Sequence, residues 1–358
     1  VNEPGGRQPD LFVGTYTERL PHVDGQAPGI MRAHYSGRGE LGDATLATVF
    51  RNPSWVTAFE GVLYAVSETR SDGGEGDVSA YRIDPDSHTL VLLGMQPSGG
   101  ADPAHLAVSP DGRYLAAANY SGGSVALFGL QDGTGRIGER LAVVKHEGEG
   151  ADPQRQEGPH PHMVAFDPSR PELFVPDLGL DAVVVYGFGP EGLKESGRIG
   201  LPPGTGPRHL AFHPSGDVFF LVGELDNSLR TFRRTESGFV PVGSVSLLPE
   251  GTDAASTAAA VRVHSSGELV FASNRGHDSI SVFRFGPGAA LELIANVPVR
   301  GQAPRDIVLT PDERHLLAAN QDSSSVTVFS LDPQATGENT LVYVREYWVP
   351  TPVCLAWA

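Results

Sequence analysis

A single cysteine, Cys354, stands in a chain of 358 residues. One thiol excludes an internal disulfide framework and any multi-cysteine metal cluster. It lies in Val353-Cys354-Leu355-Ala356-Trp357, an apolar, strand-like stretch, and reads as a packed small residue. Such sparing use of cysteine fits a reducing compartment, so a cytoplasmic protein is expected. Basic residues are also few: 26 Lys and Arg face 43 Asp and Glu, for a formal net charge of -17. That balance argues against nucleic acid and anionic membrane as partners. It leaves room for a small anionic substrate, because a local arginine cluster outweighs a distant field at short range. No apolar run reaches the length of a membrane span. Residues 1–10 are polar, hold no signal-peptide core, and are expected to be flexible. Amphipathic helical periodicity is missing. So are a Gly-x-Ser-x-Gly elbow and a phosphate-cradling glycine loop ahead of a helix. The missing elbow counts against nucleophilic serine chemistry.

Turn-forming residues are plentiful. The 44 glycines and 29 prolines suit a turn-dense β protein. One unit recurs, as in Pro103-Ala104-His105-Leu106-Ala107-Val108, a turn at Ser109-Pro110-Asp111-Gly112, then Tyr114-Leu115-Ala116-Ala117-Ala118-Asn119. Its anchors are Pro53, Pro103, Pro161, Pro207, Ala258, Pro304 and Pro352, at intervals of 46 to 58 residues. A third apolar strand follows, such as Ser279-Ile280-Ser281-Val282-Phe283, and most copies add a fourth, edge-like strand. This is the period of a four-stranded propeller blade. The last anchor carries only a first strand. The missing second and third strands are Leu11-Phe12-Val13-Gly14-Thr15-Tyr16 and Gly29-Ile30-Met31-Arg32-Ala33-His34-Tyr35. The expected fold is therefore all-β: one seven-bladed β-propeller over 1–358, closed by N- and C-terminal strands that share a blade. Closure removes the open edges of a linear array.

The repeat also sorts residues by face. The start of the innermost strand and the end of the second lie at one mouth of the channel, with the hairpin turns at the other. The first ring reads Ser54, Ala104, His162, Arg208, Ala259, Arg305, Val353. The second reads Thr15, Glu68, Asn119, Asp177, Glu224, Asn274, Asn320, with Arg275 one step beyond. A histidine, three arginines and a glutamate thus converge on one mouth, which is what a site grafted onto a symmetric scaffold looks like. Asn119, Asp177 and Asn320 read as turn formers. His209 is expected on the far side of its strand, with His213 and His264 in far-side turns, all three structural. Segment 70–76 reads as a flexible loop. Segment 144–161 is longer than its counterparts, and its ending His160-Pro161-His162 favours a functional loop. Apart from His160-Pro161-His162, whose two-residue offset across proline is a weak metal signal, histidine spacing offers no compact metal site. Arginines can hold a carboxylate or phosphate bidentately and stabilise the oxyanion of an attacked ester. A neighbouring Glu or His can move the proton. That set suits a lactone or an anionic sugar acid.

Three stretches carry a family likeness: Arg155-Gln156-Glu157-Gly158-Pro159-His160-Pro161-His162, Gly204-Thr205-Gly206-Pro207-Arg208-His209 with Glu224-Leu225-Asp226-Asn227-Ser228, and Ser273-Asn274-Arg275. The chain resembles the seven-bladed propeller lactonases, which include bacterial 6-phosphogluconolactonase and the fungal carboxy-cis,cis-muconate lactonizing enzyme. The resemblance covers nearly the whole chain. It implies catalytic roles for His162, Arg208, Glu224 and Arg275, and a mechanism without metal or cofactor. His160, Arg155 and Asn274 belong to the matched motifs and, with Arg305 of the first ring, are the expected substrate contacts. The expected function is hydrolysis of a sugar lactone, most of all 6-phosphogluconolactone. The alternatives are a carboxymuconate-lactonizing isomerase and a non-enzymatic binding platform. The expected state is a monomer or weak homo-oligomer acting on a small anionic substrate.

Overall fold

The computed structural model describes residues 9–70 and 74–358. Seven four-stranded antiparallel sheets form the ring. Blade 1 contains Val56–Phe59, Val62–Ser67, Asp77–Ile83 and Leu90–Pro97. Blade 2 contains Pro103–Val108, Tyr114–Asn119, Ser124–Leu130 and Ile137–Lys145. Blades 3 to 6 follow in chain order, and every blade has its fourth strand. Blade 7 joins Pro352–Trp357 to Asp10–Thr15, Gly29–His34 and Thr45–Val49. Its register sets Leu11 opposite Trp357 and Gly14 opposite Cys354. Gly14 is required there: a Cβ would lie 2.6 Å from the Pro53 carbonyl oxygen. Cys354 is buried against Val56.

Alternating apolar residues put both faces of each blade against its neighbours. Phe271 and Ile280 of blade 5, for example, share one core with Ile307 and Phe329 of blade 6. Each such side chain contributes about 1.5–3 kcal/mol on burial, so blade-to-blade contact carries most of the ring's stability. Exposed apolar residues such as Val49, Leu92 and Trp348 sit on outermost strands.

Two expectations about flexibility fall largely outside the described residues. Residues 1–8 lie outside the described residues, but Asp10 is buried within a strand beside His34 and His88. Residues 71–73 also lie outside them, yet both ends of that segment are tied. Arg70 reaches Asp102 at 2.7 Å, and Gly76 exchanges backbone hydrogen bonds with Gly100 and Ser98.

Two features of register build the channel mouth. First, the innermost strand bulges just after its start in blades 2, 4, 5 and 6. A bulge re-aims side chains, and in blade 4 it spans Arg208 and His209 together, between Pro207 and Leu210. His209 therefore does not lie on the far side of its strand. It is buried with its ring 5.3 Å from His162 and from Trp55, and 5.6 Å from His105. Second, the end of the second strand holds two rings, where the sequence pattern shows one. Asn119, Asn274, Asn320 and Gly223 pair with Ser124, Ser279, Ser325 and Ser228. Glu68, Tyr120, Leu178, Glu224 and Gln321 come one step later, and their N–H groups donate to the carbonyl just ahead of the anchor proline of each blade. At Glu68, Tyr120 and Glu224 that later step brings the side chain to the cavity.

Candidate active site

The mouth encloses a cavity of about 830 Å³. Among its lining residues are Glu68, Tyr120, Arg155, His162, Glu224, Arg275 and Arg305. The short ribbon Arg19–Leu20 and Val23–Asp24 brings Leu20, Pro21 and His22 to its rim.

Glu224 is the hub. Its carboxylate lies 2.6 Å from Arg155 Nη2, 2.9 Å from Arg275 Nη2 and 3.1 Å from Arg208 Nε. Its side chain is 4% exposed and that of Arg208 2%, whereas Arg155 is 40% exposed. Burial pushes the Glu224 carboxyl up, but Arg275, Arg208 and Arg155 together outweigh burial and hold it well below the usual carboxylate range. Burial, Arg275 and Arg305 push the Arg208 guanidinium down. An arginine still keeps its charge in a protein, so the cluster concentrates positive charge within an acidic molecule.

Arg208 lies behind the carboxylate, with Nη1 donating to the Ala259 carbonyl at 2.6 Å. It braces Glu224 and is not among the cavity-lining residues. Arg275 lines the cavity and donates to the Ala258 carbonyl. Arg155 arrives from the long 144–161 segment. That segment is pinned at both ends. His146 Nδ1 lies 2.6 Å from Asp177 and its Nε2 lies 2.8 Å from the Tyr186 hydroxyl, all buried. Gly179 packs directly on it: a Cβ there would meet the Gly158 carbonyl at 1.8 Å.

A second network faces the first. The Tyr16 hydroxyl donates to both Glu68 oxygens at 2.9 Å and accepts from Arg305 Nη2 at 3.1 Å. Burial raises the Tyr16 hydroxyl far above its usual range and raises the Glu68 carboxyl as well.

His162 lines the cavity between the two networks. Burial first, then Arg208, hold its imidazole neutral, well below its ordinary range. His162 Nδ1 and Arg275 Nε are buried with no hydrogen-bond partner among the described residues. Buried polar atoms normally find one, and here they flank the cavity. Behind His162, His209 packs edge-on against Trp55 and His105, whose own rings are tilted on each other with centroids 4.0 Å apart.

Two expected substrate contacts lie elsewhere. Asn274 Nδ2 donates to Ser279 and Ser281, fully buried inside blade 5. It has the same role as Asn119 and Asn320, which bond to Ser124 and Ser325. His160 stacks flat on Tyr120 with ring centroids 4.5 Å apart, and Nε2 meets Glu157 at 3.3 Å. It buttresses Tyr120, and His162 alone of the pair lines the cavity. Among the described residues no three His, Cys, Asp or Glu side chains group as metal ligands.

The profile described as "Lactonase, 7-bladed beta-propeller" matches residues 10–357. The chain belongs to the seven-bladed β-propeller lactonase family. A 6-phosphogluconolactonase of Bacillus subtilis is 33% identical over 350 residues, covering 96% of this chain and 97% of that protein. Among solved structures, a periplasmic gluconolactonase of Pseudomonas aeruginosa superposes with a TM-score of 0.88 at 29% identity, covering 98% of this chain and 99% of that one. A Lactobacillus plantarum protein superposes equally well, with a TM-score of 0.88 at 29% identity. Within this lactonase-family ring the arginine–glutamate hub spans blades 4 and 5 and the loop ahead of blade 3. Sequence reasoning missed Tyr16 and Tyr120 as site residues. The signal was present in the residue one step past the end of strand two, after Thr15 and after Asn119, once the two rings are separated.

Proposed function

We propose that this chain hydrolyses a sugar lactone bearing an anionic group, 6-phosphogluconolactone above others, to the open acid. The observation that carries the reading is the cavity wall itself. Arg155, Arg275 and Arg305 converge on one mouth around a carboxylate that is already neutralised by arginine. Guanidiniums bind phosphate or carboxylate in a fork and stabilise an oxyanion. Arg155, the most exposed of them on its loop, takes the anionic tail. Arg275 and Arg305 polarise the lactone carbonyl. Glu224, engaged by three guanidiniums, is too weak a base to take a proton and acts as the template that spaces them. The neutral His162 offers a hydrogen bond to a substrate oxygen, as a depressed imidazole does best. The names of the relatives support lactone hydrolysis, and nothing in the site favours the muconate reaction.

No described helix is long and apolar enough to cross a membrane. The single cysteine supports a cytoplasmic setting for the reaction, although one relative is named periplasmic. The test is lactone loss above the spontaneous rate for fresh gluconolactone and its 6-phospho form. Preference for the phosphorylated lactone is expected. Equal rates would remove the anionic tail from the reading, and no acceleration of either would overturn it.

A further inference from the structure

We infer that Glu68, oriented by the Tyr16 hydroxyl, is the proton-shuttling carboxylate of this cavity. The inference rests on the lactone-hydrolase reading above. Hydrolysis needs one group to take a proton from the attacking water and one to return a proton to the departing ring oxygen. Glu224 is unsuited to either, being ion-paired with Arg155, Arg208 and Arg275. Among the described residues no carboxylate bonds to His162 Nδ1, and burial together with Arg208 disfavours the imidazolium that a base must become.

Glu68 differs on each count. It lines the same cavity and occupies in blade 1 the channel-facing step that Glu224 occupies in blade 4. Its partner is a hydroxyl, Tyr16 Oη, 2.9 Å from each oxygen. Arg305 reaches that hydroxyl at 3.1 Å, and its guanidinium lies over the Tyr16 ring. The Tyr16 contact fixes the carboxylate while leaving lone pairs free for water. Burial, aided by the nearby Asp102 carboxylate, raises the Glu68 carboxyl and outweighs Arg305, the Ser54 hydroxyl and Tyr16, which lower it. A raised carboxylate is a better base than the depressed Glu224.

The step balances without any other reactant. Glu68 accepts a proton as water adds to the carbonyl carbon, giving a tetrahedral oxyanion held by the arginines. The oxyanion collapses, the bond from carbon to ring oxygen breaks, and Glu68 returns its proton to the ring oxygen. The products are the free acid and the alcohol, and Glu68 is again ionised.

The test measures kcat/KM on fresh 6-phosphogluconolactone from about pH 5 to 8, less the spontaneous rate, for wild type, Glu68→Gln and Tyr16→Phe. Calorimetric binding of the open acid, 6-phosphogluconate, accompanies it. The expected result for Glu68→Gln is a loss of about 10²–10⁴-fold in rate and of the acid limb, with affinity for the open acid kept. Tyr16→Phe removes a donor that favours the ionised carboxyl, so its acid limb moves to higher pH. Glu68→Gln with wild-type rate, or with the same acid limb, overturns the inference while leaving lactone hydrolysis intact. If Glu68→Gln does not fold, an unmoved acid limb in Tyr16→Phe overturns it instead. A wild type that hydrolyses no lactone overturns the underlying reading and this inference with it.

Discussion

Consider Glu224→Gln. The substitution keeps size and removes one charge from a cluster of buried guanidiniums. Arg208 is 2% exposed and Arg275 17%, and both lose their counter-ion. Removing one partner of a buried ion pair costs about 3–5 kcal/mol, because the remaining charge stays buried and uncompensated. Arg155 adds little to that figure, since its 40% exposure lets water screen it. Urea unfolding followed by tryptophan fluorescence gives the number directly. Inorganic phosphate adds a second readout: it occupies the uncompensated cluster and raises the variant's midpoint more than the wild type's. The acid dependence has a definite sign. The folded Glu224 carboxyl titrates below its ordinary 4.5. Its contribution is therefore present above about pH 4.5 and is lost as pH falls through the lower folded value. Glu224→Gln should accordingly differ from wild type most at neutral pH. A loss below about 1 kcal/mol, with no effect of phosphate, would refute the idea that Glu224 balances the buried arginines.

Four further outcomes follow from the same geometry. Arg155→Ala raises KM about 10–100-fold while changing stability by less than about 1 kcal/mol, checked by kinetics and a thermal melt. His146→Ala leaves Asp177 and Tyr186 without their shared partner and costs about 1–3 kcal/mol for each; limited proteolysis within 147–161 should quicken. Asn274→Ala lowers stability by about 1–2 kcal/mol and leaves KM unchanged, because its amide serves Ser279 and Ser281. Burial holds His105, His162 and His209 neutral, well below 6.5. The unfolded chain then binds their protons first, so stability falls as pH drops below about 6.5, by about 1 kcal/mol per histidine between pH 7 and 5.5. Urea midpoints across that range check it.

The ring was legible because its signals are local and repeated. Each Pro-anchored strand, tight turn and apolar second strand carries its own evidence, and Pro352–Trp357 finds its partner in Asp10–Thr15 by elimination. The mouth was legible where a residue type breaks the repeat, as Glu224, Arg275 and Arg305 do. Errors came from one-residue questions that periodicity cannot answer. The bulge after Pro207 turns His209 into the channel against a strict alternation of two. Asn274 was expected as a substrate contact because it shares the matched Ser273-Asn274-Arg275 motif with Arg275, but the side chains of adjacent strand residues diverge. Tyr16 meets Glu68 of the next blade across 52 residues and Arg305 across 289, and closure of the ring brings about the second contact. The shortened first strand of blade 3, Ala165–Phe166, has a similar origin. Pro161 forms only an isolated bridge to Asp177 as the long loop enters.

The most direct test of the account is acid release from freshly prepared 6-phosphogluconolactone, with wild type and Arg275→Ala side by side. The account predicts release well above the spontaneous rate for wild type. It predicts a drop of about 10²–10³-fold in kcat for Arg275→Ala, the scale for losing one oxyanion donor. Wild-type release at the spontaneous rate, or an Arg275→Ala variant as fast as wild type, would contradict it.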